Sequence, residues 1–292
     1  MKTLNYSLGG AVCAAALMLA SNASAQNLFV SDYTAQSVYS YTSGGIQSTV
    51  ATGLSYPYGL AFNAAGTLFI ANSDNNNGEN GSITEITRGG TQSTFYSGID
   101  PIALAFYGGN LFEADYRSGN IYEYTPGGVQ STYATGLFIP ISMAFDSAGD
   151  LFVGTGGGDN GAIIKITSDN TQSVFASGLS FPGGLAFDGA NLLVTEQASG
   201  TIFQYTPGGV QSTFATTSSS SLNGLAFNGA GDLFVASAGT GSIIEIAPGG
   251  AQSTFAQNLG NPAGIAFQPV PEPSVMALGA SGAVAFFAGR RR

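Results

Sequence analysis

The chain has 292 residues, of which 44% are hydrophobic, 43 are glycine and only 8% are charged, with neither His nor Trp. That composition excludes a disordered or predominantly helical chain and describes a β protein punctuated by glycine turns. From Gln26 to Pro273 all 17 acidic residues stand against Arg88, Arg117 and Lys165, a net charge of about −14. Nucleic acid is excluded as a partner, because binding phosphates needs a basic surface, whereas cations suit such a chain.

In chain order, Met1 to Ala25 comes first. It carries Lys2, an apolar run from Leu8 to Ala20, and the small residues Ala23, Ser24 and Ala25. Those are the three parts of a secretory signal peptide cleaved after Ala25, so the mature protein is expected to begin near Gln26. The single cysteine, Cys13, lies in this leader. The exported domain is then expected to have no disulfide and no cysteine metal site.

From Gln26 to Phe267 three phrases recur six times in fixed order. An apolar-Ala-Phe triplet ends at Phe62, Phe106, Phe145, Phe187, Phe227 and Phe267. A Leu-Phe-Val-like triplet starts at Leu28, Leu68, Leu111, Leu151, Leu192 and Leu233, and a Gln-Ser-Thr/Val triplet starts at Gln47, Gln92, Gln130, Gln172, Gln211 and Gln252. Within the second unit Leu60-Ala61-Phe62 and Leu68 to Ala71 make a hairpin about Asn63 to Gly66. Ile83 to Ile86 and Ser93 to Tyr96 follow as alternating strands, giving four strands per unit. The turn joining the last two reads Thr-Pro-Gly-Gly at Thr125 to Gly128 and Thr206 to Gly209, which predicts a type II turn. Asp169-Asn170, which tolerate left-handed geometry, replace the glycines once.

Six units of about 40 residues predict a six-bladed β-propeller of four-stranded blades over residues 26–268. The six Phe are expected to pack between blades. The chain opens on the second phrase and closes on the first, so the last blade is expected to join three amino-terminal strands to Gly264-Ile265-Ala266-Phe267, removing two open edges. A β-helix or open solenoid would leave that phase offset unexplained.

Two sets of candidate site residues follow. Four positions after each second-phrase Leu stand Asp32, Asn72, Asp115, Thr155, Glu196 and Ser237. At one rim of a propeller, Asp32, Asn72, Asp115 and Glu196 would offer hard oxygen ligands suited to Ca²⁺, or would bond the backbone amides of the following loop. Insertions after Leu68 and Leu151 carry Ser73 to Asn80, with Asp74 and Glu79, and Gly156 to Asn160, with Asp159. Tyr56, Tyr58, Phe138 and Phe181 fall in connections entering inner strands, where they could stack on sugars or lie under the loops. With Asn223 these form a candidate ligand-binding rim.

The pattern Pro57-Tyr58-Gly59-Leu60-Ala61-Phe62-Asn63, then Gly66 and Leu68 to Asn72, resembles the NHL repeat and the six-bladed gluconolactonase and senescence-marker propellers. In the lactonases the resemblance implies metal-binding Asn or Asp at the positions held here by Tyr58, Ile102, Ile141, Gly183, Asn223 and Ala263, of which only Asn223 could ligate. The streptogramin-lyase branch relies on a catalytic histidine, and this sequence has none. No catalytic residue is assigned. A binding module is the primary reading, and a divergent metal-dependent lactonase or hydrolase using Asp32, Asp115 and Glu196 is the alternative.

The tail, residues 269–292, has three parts: Pro271-Glu272-Pro273, an apolar stretch from Ser274 to Gly289, and Arg290-Arg291-Arg292. It resembles the PEP-CTERM sorting signal of Gram-negative bacteria. The resemblance implies Sec export, transient inner-membrane anchoring, recognition by an exosortase near Pro-Glu-Pro, and release or attachment at the cell surface or in the matrix beside exopolysaccharide or a surface protein. Sixteen helical residues reach about 24 Å, short of the roughly 30 Å hydrocarbon core, while the arginines stay cytoplasmic. A processed anchor fits that length better than a permanent span.

Overall fold

A computed structural model describes residues 26–74, 80–156 and 160–270. The leader with Ala23 and Ala25, Glu79, Asp159, the Pro271-Glu272-Pro273 motif and Arg290 to Arg292 lie outside the described residues.

The described residues form six antiparallel sheets of four strands each, as the repeats predict. Blade 1 runs from β24 (Pro262–Phe267) through β1 (Leu28–Asp32) and β2 (Ser37–Tyr41) to β3 (Gln47–Thr52). Closure is therefore made by both ends of the chain, with Leu28 opposite Phe267 and Val30 opposite Ile265. The other blades follow in sequence from their inner strands β4 (Pro57–Phe62), β8 (Pro101–Tyr107), β12 (Pro140–Phe145), β16 (Pro182–Asp188) and β20 (Leu222–Phe227). These six inner strands lie side by side around the axis.

Packing between blades rests on the repeated aromatics. Phe29 meets Phe62 edge to face at 4.9 Å, and Phe69–Phe106, Phe112–Phe145, Phe152–Phe187 and Phe234–Phe267 repeat the contact at 4.7 to 5.2 Å. At the sixth junction Leu193 takes the partner's place and packs with Phe227. Each aromatic pair adds about 0.5–1.5 kcal/mol beyond its buried area.

Inner strands approach closely enough to demand small residues. A Cβ on Gly59 would stand 2.7 Å from the Ile102 carbonyl oxygen of the next blade, so that position is glycine for want of space. Where hydroxyls replace glycine they bond across the junction, as Ser142 Oγ does to the Pro182 carbonyl at 2.7 Å.

Two local features differ from the sequence reading. The Thr-Pro-Gly-Gly turn is not type II: the positive φ falls on its fourth residue, Gly128 (78°) or Gly209 (80°). Gly128 N–H donates to the Thr125 carbonyl and Thr125 N–H to the Val129 carbonyl. That is a type I turn followed by a left-handed residue, the three-residue hairpin that matches strand twist. Asn170 occupies the same place with φ 65°. The second difference is a β-bulge in every inner pair, between Pro57 and Leu60 in blade 2 and at equivalent places elsewhere. The inner strands start three residues earlier than the apolar triplets suggest.

Candidate functional site

The bulges shape one end of the ring. By inserting a residue they turn Tyr58, Ile102, Ile141 and Asn223 toward the axis, where the four line a cavity of about 460 Å³. We call this end the mouth. Tyr33, Tyr58, Tyr116, Phe181, Ile102 and Ile141 give it aromatic and apolar groups, and Gln197, Ser221, Asn223 and Asn261 give it amides and a hydroxyl. Asp74, Asp100 and Arg117 stand at its edge, with Arg117 Nε 4.0 Å from the Asp100 carboxylate.

A hydrogen-bonded network ties the floor together. Gln197 Nε2 donates to Asn223 Oδ1 at 2.8 Å, Tyr58 Oη approaches the same oxygen at 3.4 Å, and Asn223 Nδ2 donates to the Pro262 carbonyl at 3.0 Å. Burial pushes the Tyr58 phenol up to about 12, with the Gln197 amide pulling the other way, so it stays protonated at neutral pH. Below the floor, Leu60, Leu104, Met143, Leu185, Leu225 and Ile265 line a narrower space of about 150 Å³.

The candidate metal residues occupy separate blades and clasp their own loops. Asp32 accepts from the amides of Gly260 at 2.7 Å, Asn261 at 2.9 Å and Ala35 at 3.0 Å, locking the link that leads into β24. Asp115 accepts from the amides of Asp100 and Ser118 at 2.9 and 2.7 Å. Glu196 accepts from the Ser180 amide at 3.0 Å and the Ser199 hydroxyl at 2.5 Å. Asn72 donates to Thr84 Oγ1 at 2.8 Å, leaving its own buried Oδ1 without a partner. Among the described residues no three carboxylate, thiol or imidazole groups are gathered to hold a metal ion. The oxygens of Asp32, Asp115 and Glu196 already accept amide or hydroxyl protons and do not converge, so the donor set does not fit a Ca²⁺ shell of six to eight oxygens.

Of the candidate rim residues, Tyr58, Asp74, Phe181 and Asn223 line the mouth together. Tyr56 stands behind it, its ring 5.0 Å from that of Tyr33. Phe138 is two-thirds exposed and is not among the lining residues. Sequence reasoning missed Tyr33, Tyr116 and Gln197. Each is the first turn residue after a strand that ends on a loop-clasping residue, Asp32, Asp115 or Glu196, and each lines the mouth.

Backbone strain gathers at the same end. Tyr56, Ile139, Phe181 and Ser221 all have φ between 42° and 60°, each just before its inner strand. The carbonyl of each accepts an amide from the loop following the second strand of its blade, such as Ser73 N–H to Tyr56 or Gln197 N–H to Phe181. Those bonds hold bulky residues in a region that costs on the order of 1 kcal/mol or more apiece.

Residues 269–292 match the PEP-CTERM protein-sorting motif. A comparison with curated protein sequences gives no match. Among solved structures, a chain of the nidogen/laminin complex aligns with 85% of this chain and 100% of its own, with a TM-score of 0.74 and 16% identity. Virginiamycin B lyase from Staphylococcus aureus aligns with 71% of this chain and 73% of its own, with a TM-score of 0.56 and 18% identity. Such identities carry the fold and no chemistry. The chain is an all-β, NHL-like six-bladed propeller that ends in a PEP-CTERM sorting motif, which implies export and exosortase recognition.

Proposed function

We propose that this propeller works by binding, at the cell surface or in the extracellular matrix, and that its ligand is a polysaccharide taken at the mouth. The mixed lining of the cavity carries the reading. Aromatic and aliphatic groups, Tyr58, Tyr116, Phe181 and Ile102, stand beside the amides of Gln197, Asn223 and Asn261 in a cavity of about 460 Å³. A sugar ring has the matching surfaces, an apolar C–H face for an aromatic ring and a hydroxyl edge for amides. A sorting motif that implies export supports a ligand met outside the cell.

Turnover finds less support. The chain contains no histidine, the commonest general base near neutral pH, and the lyase it resembles in fold shares only 18% of its residues. At the lactonase ligand positions stand Tyr58, Ile102, Ile141, Gly183, Asn223 and Ala263, with Asn223 committed to Pro262, Gln197 and Tyr58.

Retention of the protein on immobilised exopolysaccharide tests the reading, with Tyr116→Ala/Phe181→Ala as the comparison. Wild type should be retained and eluted by soluble glycan, and the double variant should lose retention at least tenfold. Equal retention of the two, retention by protein partners alone, or hydrolysis of a lactone at a rate that the double variant abolishes would overturn it.

A further inference from the structure

The two ends of the described chain leave the ring on the same face, and it is the face opposite the mouth. Gln26 Oε1 accepts from the Gly229 amide, in the turn closing the inner hairpin of blade 6. Gln268 N–H donates to the Asn27 carbonyl. One residue later the Pro269 carbonyl accepts from Arg88 Nη2 at 2.8 Å. Arg88 belongs to the turn between β6 (Gly81–Ile86) and β7 (Gln92–Ile99), and its guanidinium covers Gly66, in the inner hairpin turn of the same blade. All these groups lie at the Phe end of the inner strands. The mouth lies at the proline end, six residues and roughly 17–20 Å away along β24.

Pro269 is also the first residue of the sorting motif. No linker separates ring from tail: β24 ends at Phe267, and two residues later the backbone is bonded to blade 2. Only Val270 lies between that bond and Pro271. A tail starting within about 10 Å of the ring and held in a membrane leaves the domain little freedom to turn over.

We infer that the tail-anchored precursor is held with its Arg88 face toward the membrane and its mouth toward the outside, and that Arg88 latches the start of the sorting segment to the ring. The opposite face then stays open to a ligand before the tail is cut. The inference rests on where the chain leaves the ring and not on what the mouth binds.

The test uses the tail-bearing chain in a Cys13→Ala background, in phosphatidylcholine vesicles containing nitroxide-labelled lipid. Single fluorophores are attached at Ala65→Cys or Ser147→Cys on the Arg88 face, and at Ser55→Cys or Ser118→Cys on the mouth face. Several-fold stronger quenching at the first pair is expected. Equal quenching, or the reverse order, would overturn the orientation. For the latch, Arg88→Ala should raise the rate of cleavage after Pro269 and Pro271 by a proline-specific endoprotease several-fold with an unchanged melting temperature, and an unchanged rate would overturn it.

Discussion

Glu113 is the residue whose replacement most directly tests the packing described above. It stands on β9 (Asn110–Asp115), at the place filled in the other five blades by Val30, Ile70, Val153, Val194 and Val235. Its side chain is fully buried between blades 2 and 3. Oε2 meets the Tyr124 hydroxyl only at 3.5 Å, and Oε1 has no partner. Burial drives its carboxyl well above the ordinary glutamate range. The charge of Asp115 pushes the same way, the Tyr124 hydrogen bond opposes it more weakly, and the Asp100 charge adds a smaller push upward.

The folded protein therefore holds a proton on Glu113 at pH values where the unfolded chain has released it. Stability is greatest below the unfolded pKa near 4.5 and falls as pH rises toward the folded pKa, by at most about 1.4 kcal/mol per pH unit. Glu113→Gln should remove that slope while keeping a polar group buried. Glu113→Val should remove the slope and the unpaired oxygen together, with Tyr124 still bonded to Gln130 Nε2 at 2.9 Å. At pH 7 we expect Glu113→Val to be more stable than wild type by about 1–3 kcal/mol, the usual cost of an unsatisfied buried polar group. In a domain of this size that raises the melting temperature by roughly 2–4 °C per kcal/mol. Urea unfolding of the three proteins from pH 4 to 8 measures it. A valine variant weaker than wild type at pH 7, or a pH slope that survives in both variants, would refute the reasoning.

Other outcomes follow from the ring. Asp32→Ala strips the amides of Ala35, Gly260 and Asn261 of their acceptor at the closing blade, and should cost about 2–4 kcal/mol in thermal unfolding; a loss under 0.5 would contradict the clasp. Removing residues 261–268 deletes β24 and exposes the β1 edge, so size-exclusion chromatography should show aggregates, and a soluble monomer with an unchanged melt would refute closure. Because Asp32, Asp115 and Glu196 are occupied by amide and hydroxyl donors in separate blades, melting in calcium and in chelator should coincide. A calcium-dependent rise lost in Asp115→Ala would restore the metal reading.

The fold was legible because the repeat marks strands whose burial is the same in every blade. Leu28, Leu68, Leu111, Leu151, Leu192 and Leu233 are all at most 2% exposed, and the Phe residues pair as expected at five junctions. Phase was the stronger signal, since an incomplete first unit and a complementary last one leave a ring as the arrangement that pairs Leu28 with Phe267. The turn type was not legible, because Thr-Pro-Gly-Gly suits a type II turn as well as a type I turn with a left-handed fourth residue. The positive φ on Gly128, with none on Gly127, separates them.

The site was legible to within one residue, and one residue is what a strand does not forgive. Asp32, Asp115 and Glu196 attract attention as charges, yet they face sideways and hold loops; their neighbours Tyr33, Tyr116 and Gln197 face the mouth. Those neighbours are turn residues just past the ends of their strands, where alternation no longer places them, and the inward positions of the inner strands depend on bulges that no residue type announces, since Tyr58, Ile102 and Asn223 stand at them in different blades. In this family of blades the bulge does what a conserved motif does in an enzyme. It turns Tyr58, Ile102, Ile141 and Asn223 into the mouth, at positions where the lactonase resemblance calls for metal-binding Asn or Asp.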